Sequence, residues 1–211
     1  MPSSKDKKIF ESINDSIKEL INTFEKYPDI FLTEEDLRCF LYSSLLNKKS
    51  LQNLHKTSDN SYSIPIHTEI RWYGNDYEEL KYRSDIVIID PKDLQTKNNE
   101  FFNVNSKGFS FNNYYAVIEL KLRRINGDSD NSFLNGNSRR KNGINNDLEK
   151  LKKIREKVSQ SIYKTRFYSI NFDKKLINDL ESKIVNFRNI NFYYISVNGD
   201  NKVLFNNWFL I

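Results

Sequence analysis

The residues with the clearest chemical potential lie in one apolar segment, YYAVIELKLRR, which runs from Tyr114 to Arg124. Glu119 and Lys121 stand two residues apart in its middle, and either charge would be costly to bury alone. Side chains alternate along a strand, so both point to the same face, about 6 to 7 Å apart. The segment therefore predicts a buried strand whose two charges either pair for structure or perform chemistry.

A third charged residue, Asp85, begins the apolar run DIVIID, which is typical of a fully buried strand. If the two strands pair in antiparallel fashion, Asp85 lies beside Glu119. Two converging carboxylates repel each other unless a cation sits between them. Oxygen ligands without a His or Cys cluster favour Mg²⁺ or Mn²⁺.

A lysine beside such an ion would complete a hydrolytic site. The ion activates the nucleophile and neutralises the scissile phosphate. Lys121 can orient or deprotonate a water molecule and stabilise the charge that develops on the phosphate. Asp85, Glu119 and Lys121 are therefore the set of groups that hydrolysis of a phosphodiester requires.

These motifs, SDIVIID followed by VIELKL, resemble the core of the PD-(D/E)xK nuclease superfamily, which has the restriction-endonuclease-like fold. The resemblance runs from Thr33 to Phe172, about two thirds of the chain. It implies that Asp85 and Glu119 hold Mg²⁺ or Mn²⁺, that Lys121 is catalytic, and that the partner is a nucleic acid, DNA above all. Two departures are Ser84, where the family name has proline, and the long 92–113 segment, which becomes an insertion.

The resemblance also implies an acid from the first core helix. The segment TEEDLRCFLY offers Glu34 and Glu35. On a helical wheel Glu34 borders the apolar stripe of Leu37, Leu41 and Leu45, whereas Glu35 points away from it. Glu34 is therefore the predicted supporting acid.

Basic residues near the strand could contact a polyanion, and the formal net charge of +5 suits such a partner. The predicted nucleic-acid contacts are Arg123, Arg124, Arg139, Arg140 and Lys141. The helix that follows adds a band of lysines. A solvated basic surface is the competing interpretation.

Several other residues allow two interpretations. The segment SYSIPIHTEIRWY follows a predicted loop over 47–60 and is predicted as an alternating strand over 61–73. His67 and Glu69 share its polar face, which either lines the cleft, with Glu69 as an extra metal ligand or water-holder, or faces solvent. The other face carries Tyr62, Ile64, Ile66, Thr68, Ile70 and Trp72. Asp147 opens the helix after the Glu119 strand and is interpreted as a cap. Cys39, the single cysteine, is interpreted as a small buried thiol.

The order of predicted elements indicates an α/β fold with a mixed central sheet flanked by helices, in which the core follows the α-β-β-β-α-β order. One domain covers 1–211, with an N-terminal helix in 1–30, a restriction-endonuclease-like core in 31–172, and a C-terminal helix and strands in 173–211. The helix is predicted from DKKLINDLESKIVNF, and the last strands form a hairpin around the Asn198–Gly199 turn. Thr33 and Asp36 predict a capping box at the first core helix.

Composition excludes several classes. One cysteine rules out an internal disulfide framework. The basic start MPSSKDKK precedes an amphipathic helix rather than an apolar segment, and no apolar run is long enough to span a bilayer. A cytoplasmic protein without a membrane partner is expected. The aromatic segments FYYISV and LFNNWFLI are interpreted as core or as the interface of a homodimer.

Three hypotheses follow for function. The first is a metal-dependent nuclease of the PD-(D/E)xK type that hydrolyses phosphodiester bonds, most naturally in DNA. The second is a non-catalytic member of the same fold that binds nucleic acid or protein. The third is a structural α/β domain in which Glu119 and Lys121 merely pair with neighbours.

Overall fold

A computed structural model describes residues 4–73, 79–94, 114–137, 142–158, 165–185 and 188–197. The helices are α1 Ser4–Lys26, α2 Glu34–Leu46, α3 Asp130–Asn135, α4 Ile144–Val158 and α5 Leu180–Lys183. The strands are β1 His55–Lys56, β2 Tyr62–Ser63, β3 Ile66–Tyr73, β4 Glu79–Ile89, β5 Tyr114–Arg123, β6 Arg166–Asp173 and β7 Asn191–Ser196. Short 3₁₀ helices cover Pro28–Ile30 and Pro91–Asp93.

Five strands form one mixed sheet in the order β3-β4-β5-β6-β7. β3, β4 and β5 form an antiparallel meander, whereas β5, β6 and β7 run parallel. Parallel neighbours need a crossover connection, and α3 and α4 provide it between β5 and β6. The predicted mixed α/β architecture is thus confirmed. β1 and β2 form a separate two-stranded sheet inside the predicted 47–60 loop and the start of the predicted strand.

Apolar residues cover both faces of the sheet, so the molecule has three layers. Helices α1 and α2 pack on one face through a cluster that includes Ile13, Leu37, Leu41, Ile118 and Phe172. Helix α4 packs on the other face through a cluster that includes Val117, Leu148, Leu151 and Phe167. Ala116 and Ile118 of β5 lie in the first cluster and Val117 between them lies in the second, so this central strand is buried on both sides.

The predicted capping box at the start of α2 is present. The Thr33 hydroxyl accepts a hydrogen bond from the Asp36 amide at 3.2 Å, and Asp36 Oδ2 accepts one from the Thr33 amide at 2.8 Å. These bonds satisfy amide groups that the first helical turn leaves without partners. They also fix the position at which α2 begins, and Glu34 is its first residue.

Thr33→Ala should lower the free energy of unfolding by about 1 kcal/mol, because the cap hydroxyl is lost. Thr33→Ser keeps that hydroxyl and should behave as the wild type. Urea unfolding of both variants measures the difference. Equal losses in the two variants would assign the effect to the threonine methyl group instead.

The predicted 61–73 strand is wrong in two respects. Pro65 separates β2 from β3, and the alternation of faces reverses inside β3. Ile66 packs with α1 and α2, whereas Ile70 and Trp72 pack in the cluster under α4. The reversal occurs at Glu69, whose φ of 55° is left-handed and breaks the regular pleat.

The predicted helix over 173–187 is also wrong, because among its described residues, 173–185, only the short α5 is α-helical. Asp173 extends β6 instead, and its Oδ1 accepts a hydrogen bond from the Lys175 amide at 2.8 Å. The Lys174 amide donates to the Arg123 carbonyl at 2.9 Å. These bonds hold the chain in a non-helical path. The predicted C-terminal hairpin lies outside the described residues.

Cys39 is exposed rather than buried, since it lies on the polar side of α2 away from Leu37 and Leu41. The cysteine therefore contributes nothing to the core. In the part of the chain that the structure describes, no helix has the length and apolarity to cross a bilayer.

Candidate active site

Asp85 and Glu119 are neighbours across the β4–β5 pair. The strands are antiparallel with Ile86 opposite Ile118, so the next position of each strand brings Asp85 beside Glu119. Asp85 Oδ2 accepts a hydrogen bond from the Leu120 amide at 2.7 Å. Burial raises the pKa of Asp85, and this hydrogen bond partly offsets the shift. The antiparallel pairing that the sequence suggested is confirmed.

Glu119 is only 3% exposed, and its two carboxylate oxygens have different surroundings. Oε2 accepts a hydrogen bond from Lys150 Nζ at 2.6 Å. Oε1 is buried and has no hydrogen-bond partner. Burial raises the pKa of Glu119 to about 8, against the lowering effect of Lys150. A buried oxygen with no donor near it is what a cation-binding group would present.

Lys121 lies between two acids. Its Nζ is 3.1 Å from Asp147 Oδ2 and 3.5 Å from Glu34 Oε1. Burial alone would lower the pKa of Lys121, but the carboxylates of Asp147 and Glu34 outweigh it and raise that pKa. Lys121 therefore carries a proton at neutral pH, which suits a donor or a positive charge rather than a base.

Glu34 reaches the site from the first turn of α2. Its Oε1 accepts a hydrogen bond from the Leu122 amide at 3.4 Å and lies near Lys121. Burial raises the pKa of Glu34, and the charge of Lys121 acts in the opposite direction. Glu35 points elsewhere and pairs with Arg38. The helical-wheel argument thus selected the glutamate that lies beside Lys121.

Asp147 and Lys150 are site residues that the sequence did not reveal as such. Both come from α4, and Lys150 Nζ lies 3.4 Å from Asp147 Oδ1. Asp147 directs its carboxylate to the two lysines, so its interpretation as a helix cap is wrong. Their spacing of three residues on the helix was the available signal, but it could not show which helix face meets the sheet.

Arg38 links Asp85 to two further acids, Glu35 and Glu69. It forms ion pairs with Glu35 and Glu69, and its Nη1 lies 3.4 Å from Asp85 Oδ1. Glu69, on β3, is 45% exposed and also lies 3.6 Å from Arg83. Glu69 is therefore joined to Asp85 through Arg38. His67 lies apart from it and bonds with the Ile64 carbonyl at 2.9 Å.

The predicted nucleic-acid contacts divide into three cases. Arg123 is 1% exposed and forms a buried ion pair with Asp173 and a second ion pair with the exposed Asp130, so its prediction as a phosphate contact is wrong. An arginine with no solvent-facing surface cannot meet a phosphate. Arg124 is exposed, as the prediction requires. Arg139, Arg140 and Lys141 lie outside the described residues.

The donors present fit a hard divalent cation such as Mg²⁺ or Mn²⁺. Asp85 and Glu119 offer carboxylate oxygens from adjacent strands, and Oε1 of Glu119 has no other partner. Among the described residues, no group of three or more His, Cys, Asp or Glu side chains is placed to hold a metal. Asp85 and Glu119 are the residues that would hold such an ion.

The raised pKa of Glu119 makes the stability of the metal-free protein depend on pH. The pKa is about 4.5 for an open carboxyl and about 8 in the fold, so the folded state binds the proton more tightly. Stability should therefore be highest below pH 4.5 with respect to this group, and should fall as the pH rises through about 8. A pKa shift of this size corresponds to a few kcal/mol in the free energy of unfolding.

Glu119→Gln should flatten that pH dependence, because the variant has no proton to lose. Urea unfolding at a series of pH values, without divalent ions, measures the slope for both proteins. Parallel slopes would show that Glu119 titrates in the fold as it does in an open chain.

Comparison of the chain with protein-family models, with curated proteins and with solved structures finds no match. The residues of the site and the topology that brings them together are therefore the basis for inferring function.

Proposed function

We propose that the protein is a divalent-metal-dependent nuclease that hydrolyses phosphodiester bonds, with DNA as the substrate. The observation that supports this proposal most directly is the pairing of Asp85 with Glu119 across adjacent strands, with Oε1 of Glu119 buried and without a partner. Lys121 follows two residues after Glu119 on β5, between Glu34 and Asp147. An acidic pair and a protonated lysine on one strand pair are the groups that phosphodiester hydrolysis requires.

Each side chain has a role in this proposal. Asp85 and Glu119 would hold Mg²⁺ or Mn²⁺, which supplies an activated water and neutralises phosphate charge when bound. Lys121 donates a hydrogen bond to the attacking water or to a phosphate oxygen as its negative charge grows. Glu34 and Asp147 restrain the Lys121 ammonium from two sides, so that it approaches the scissile group in a fixed direction.

A cleavage assay with mixed plasmid and single-stranded DNA, in Mg²⁺ or Mn²⁺, tests the proposal. The wild type should cut, and Lys121→Ala should cut about a hundredfold more slowly, because the donor at the phosphate is lost. Lys152→Ala is the matched control, since Lys152 is an exposed lysine on α4. Circular dichroism confirms that each variant is folded.

A non-catalytic binding protein is the second candidate. It is favoured by the fact that Lys150, Lys121 and Arg38 already contact the acids of the site. Such a cluster balances its charges without a metal ion. This candidate predicts that no variant cuts DNA, and that wild type and Lys121→Ala bind it equally well with an affinity that falls as salt rises.

A further inference from the structure

Lys150 occupies an unusual place for a lysine. It lies on α4 between Leu148 and Leu151, which pack against the sheet, and its side chain is 17% exposed. Its neighbours Lys152 and Lys153 are exposed. Keeping an ammonium group this far out of water requires strong compensating contacts.

The Lys150 ammonium has a contact for each of its three N–H groups. Its Nζ donates to Glu119 Oε2 at 2.6 Å and to the Arg83 carbonyl at 2.9 Å. It also lies 3.4 Å from Asp147 Oδ1. One contact is on β5, one on β4 and one on α4 itself. The ammonium is therefore fixed relative to both strands that carry the acidic pair.

The contact with Lys150 restricts the carboxylate of Glu119. With Oε2 engaged by Lys150, the carboxylate cannot rotate freely, and Oε1 remains buried without a hydrogen bond. An ion pair serving stability alone would gain from a donor at both oxygens, because an unsatisfied buried oxygen is costly. The arrangement instead engages one oxygen and leaves the other available.

We infer that Lys150 is a positioning residue that orients Glu119 to bind the divalent ion through Oε1 alone. The inference rests on the proposed function, because it concerns the same metal site. Residues that orient a metal ligand typically change metal affinity by about 10- to 100-fold when they are replaced.

Mn²⁺ binding, measured by isothermal titration calorimetry and by the electron paramagnetic resonance signal of free Mn²⁺, tests the inference without depending on cleavage. Lys150→Met should weaken Mn²⁺ binding by about tenfold or more. Lys150→Arg can still donate to the Glu119 carboxylate and should recover most of the affinity. Lys152→Met, on the exposed side of α4, should bind as the wild type.

Thermal unfolding of the same proteins separates positioning from stability. If Lys150→Met does not fold, Lys150→Gln, which retains a donor, is compared with Lys150→Arg, and the arginine variant should bind more tightly. A folded Lys150→Met that binds Mn²⁺ within about twofold of the wild type would overturn the inference, whether or not that variant is less stable. Where only Lys150→Gln folds, binding by Lys150→Gln as tight as that by Lys150→Arg would overturn it. Wild-type protein that shows no Glu119-dependent Mn²⁺ binding would overturn the proposed function and, with it, this inference.

Discussion

Replacing Arg123 by methionine is expected to lower the free energy of unfolding by about 3 to 5 kcal/mol, because it leaves a buried carboxylate without its cation. Arg123 Nε and Nη2 donate to the two oxygens of Asp173 at 2.7 and 2.5 Å. Asp173 is 0% exposed. The bidentate geometry adds directional hydrogen bonds to the charge interaction, and methionine can replace only the apolar part of the side chain.

Urea unfolding measures this effect, with Arg124→Met as the matched control because Arg124 is the adjacent exposed arginine. The double variant Arg123→Met with Asp173→Asn removes both charges and should recover part of the lost stability. If Arg123→Met lowered the free energy of unfolding by less than about 1 kcal/mol, the Arg123–Asp173 pair would contribute no more than an ion pair on the protein surface.

Asp85→Asn should reduce metal-dependent cleavage by about a thousandfold, the upper end of what the loss of one electrostatic partner costs. The amide keeps an oxygen that can accept from the Leu120 amide, as Asp85 Oδ2 does at 2.7 Å. The fold should therefore survive, while the charge that would hold the divalent ion is gone. In the proposed function the ion both activates water and neutralises phosphate, so Asp85→Asn would remove both contributions together.

The assay compares rates of DNA cleavage and Mn²⁺ affinity for the same preparations. Asp90→Asn is the control, because Asp90 lies just past the other end of β4 and contacts Tyr115 at 3.1 Å. Cleavage by Asp85→Asn at the wild-type rate would remove Asp85 from the metal site and leave the acidic pair without a catalytic role.

The sequence was sufficient to predict which face a side chain occupies where the periodicity of a single strand or helix determines that face. The twofold alternation of β5 put Glu119 and Lys121 on one face, and the helical period of α2 brought Glu34 rather than Glu35 to Lys121. Neither prediction depends on contacts that the sequence pattern leaves undetermined. The regular alternation predicted for the strand that contains Glu69 was wrong, since the left-handed backbone at Glu69 puts Ile66 and Ile70 on opposite faces of the sheet.

The sequence was insufficient where contacts depend on tertiary packing. Arg123 looked like the start of a basic surface, yet its partner Asp173 lies 50 residues further on and is brought opposite it only by the parallel pairing of β5 and β6. Lys150 resembled the exposed lysines of the same helix. Only the way α4 lies over the sheet distinguishes it from Lys152.

The position of α1 has a consequence for how the protein is made. The buried face of this first helix packs with residues of β6 and β7, including Phe172 and Ile195, and Tyr168 reaches Asn14 at 3.2 Å. A ribosome therefore releases α1 long before its partner strands have been synthesised. Until then the nascent chain exposes an apolar helix face, which is the kind of surface that chaperones bind and that promotes aggregation. Newly made protein should accordingly depend on chaperones more than the completed fold does.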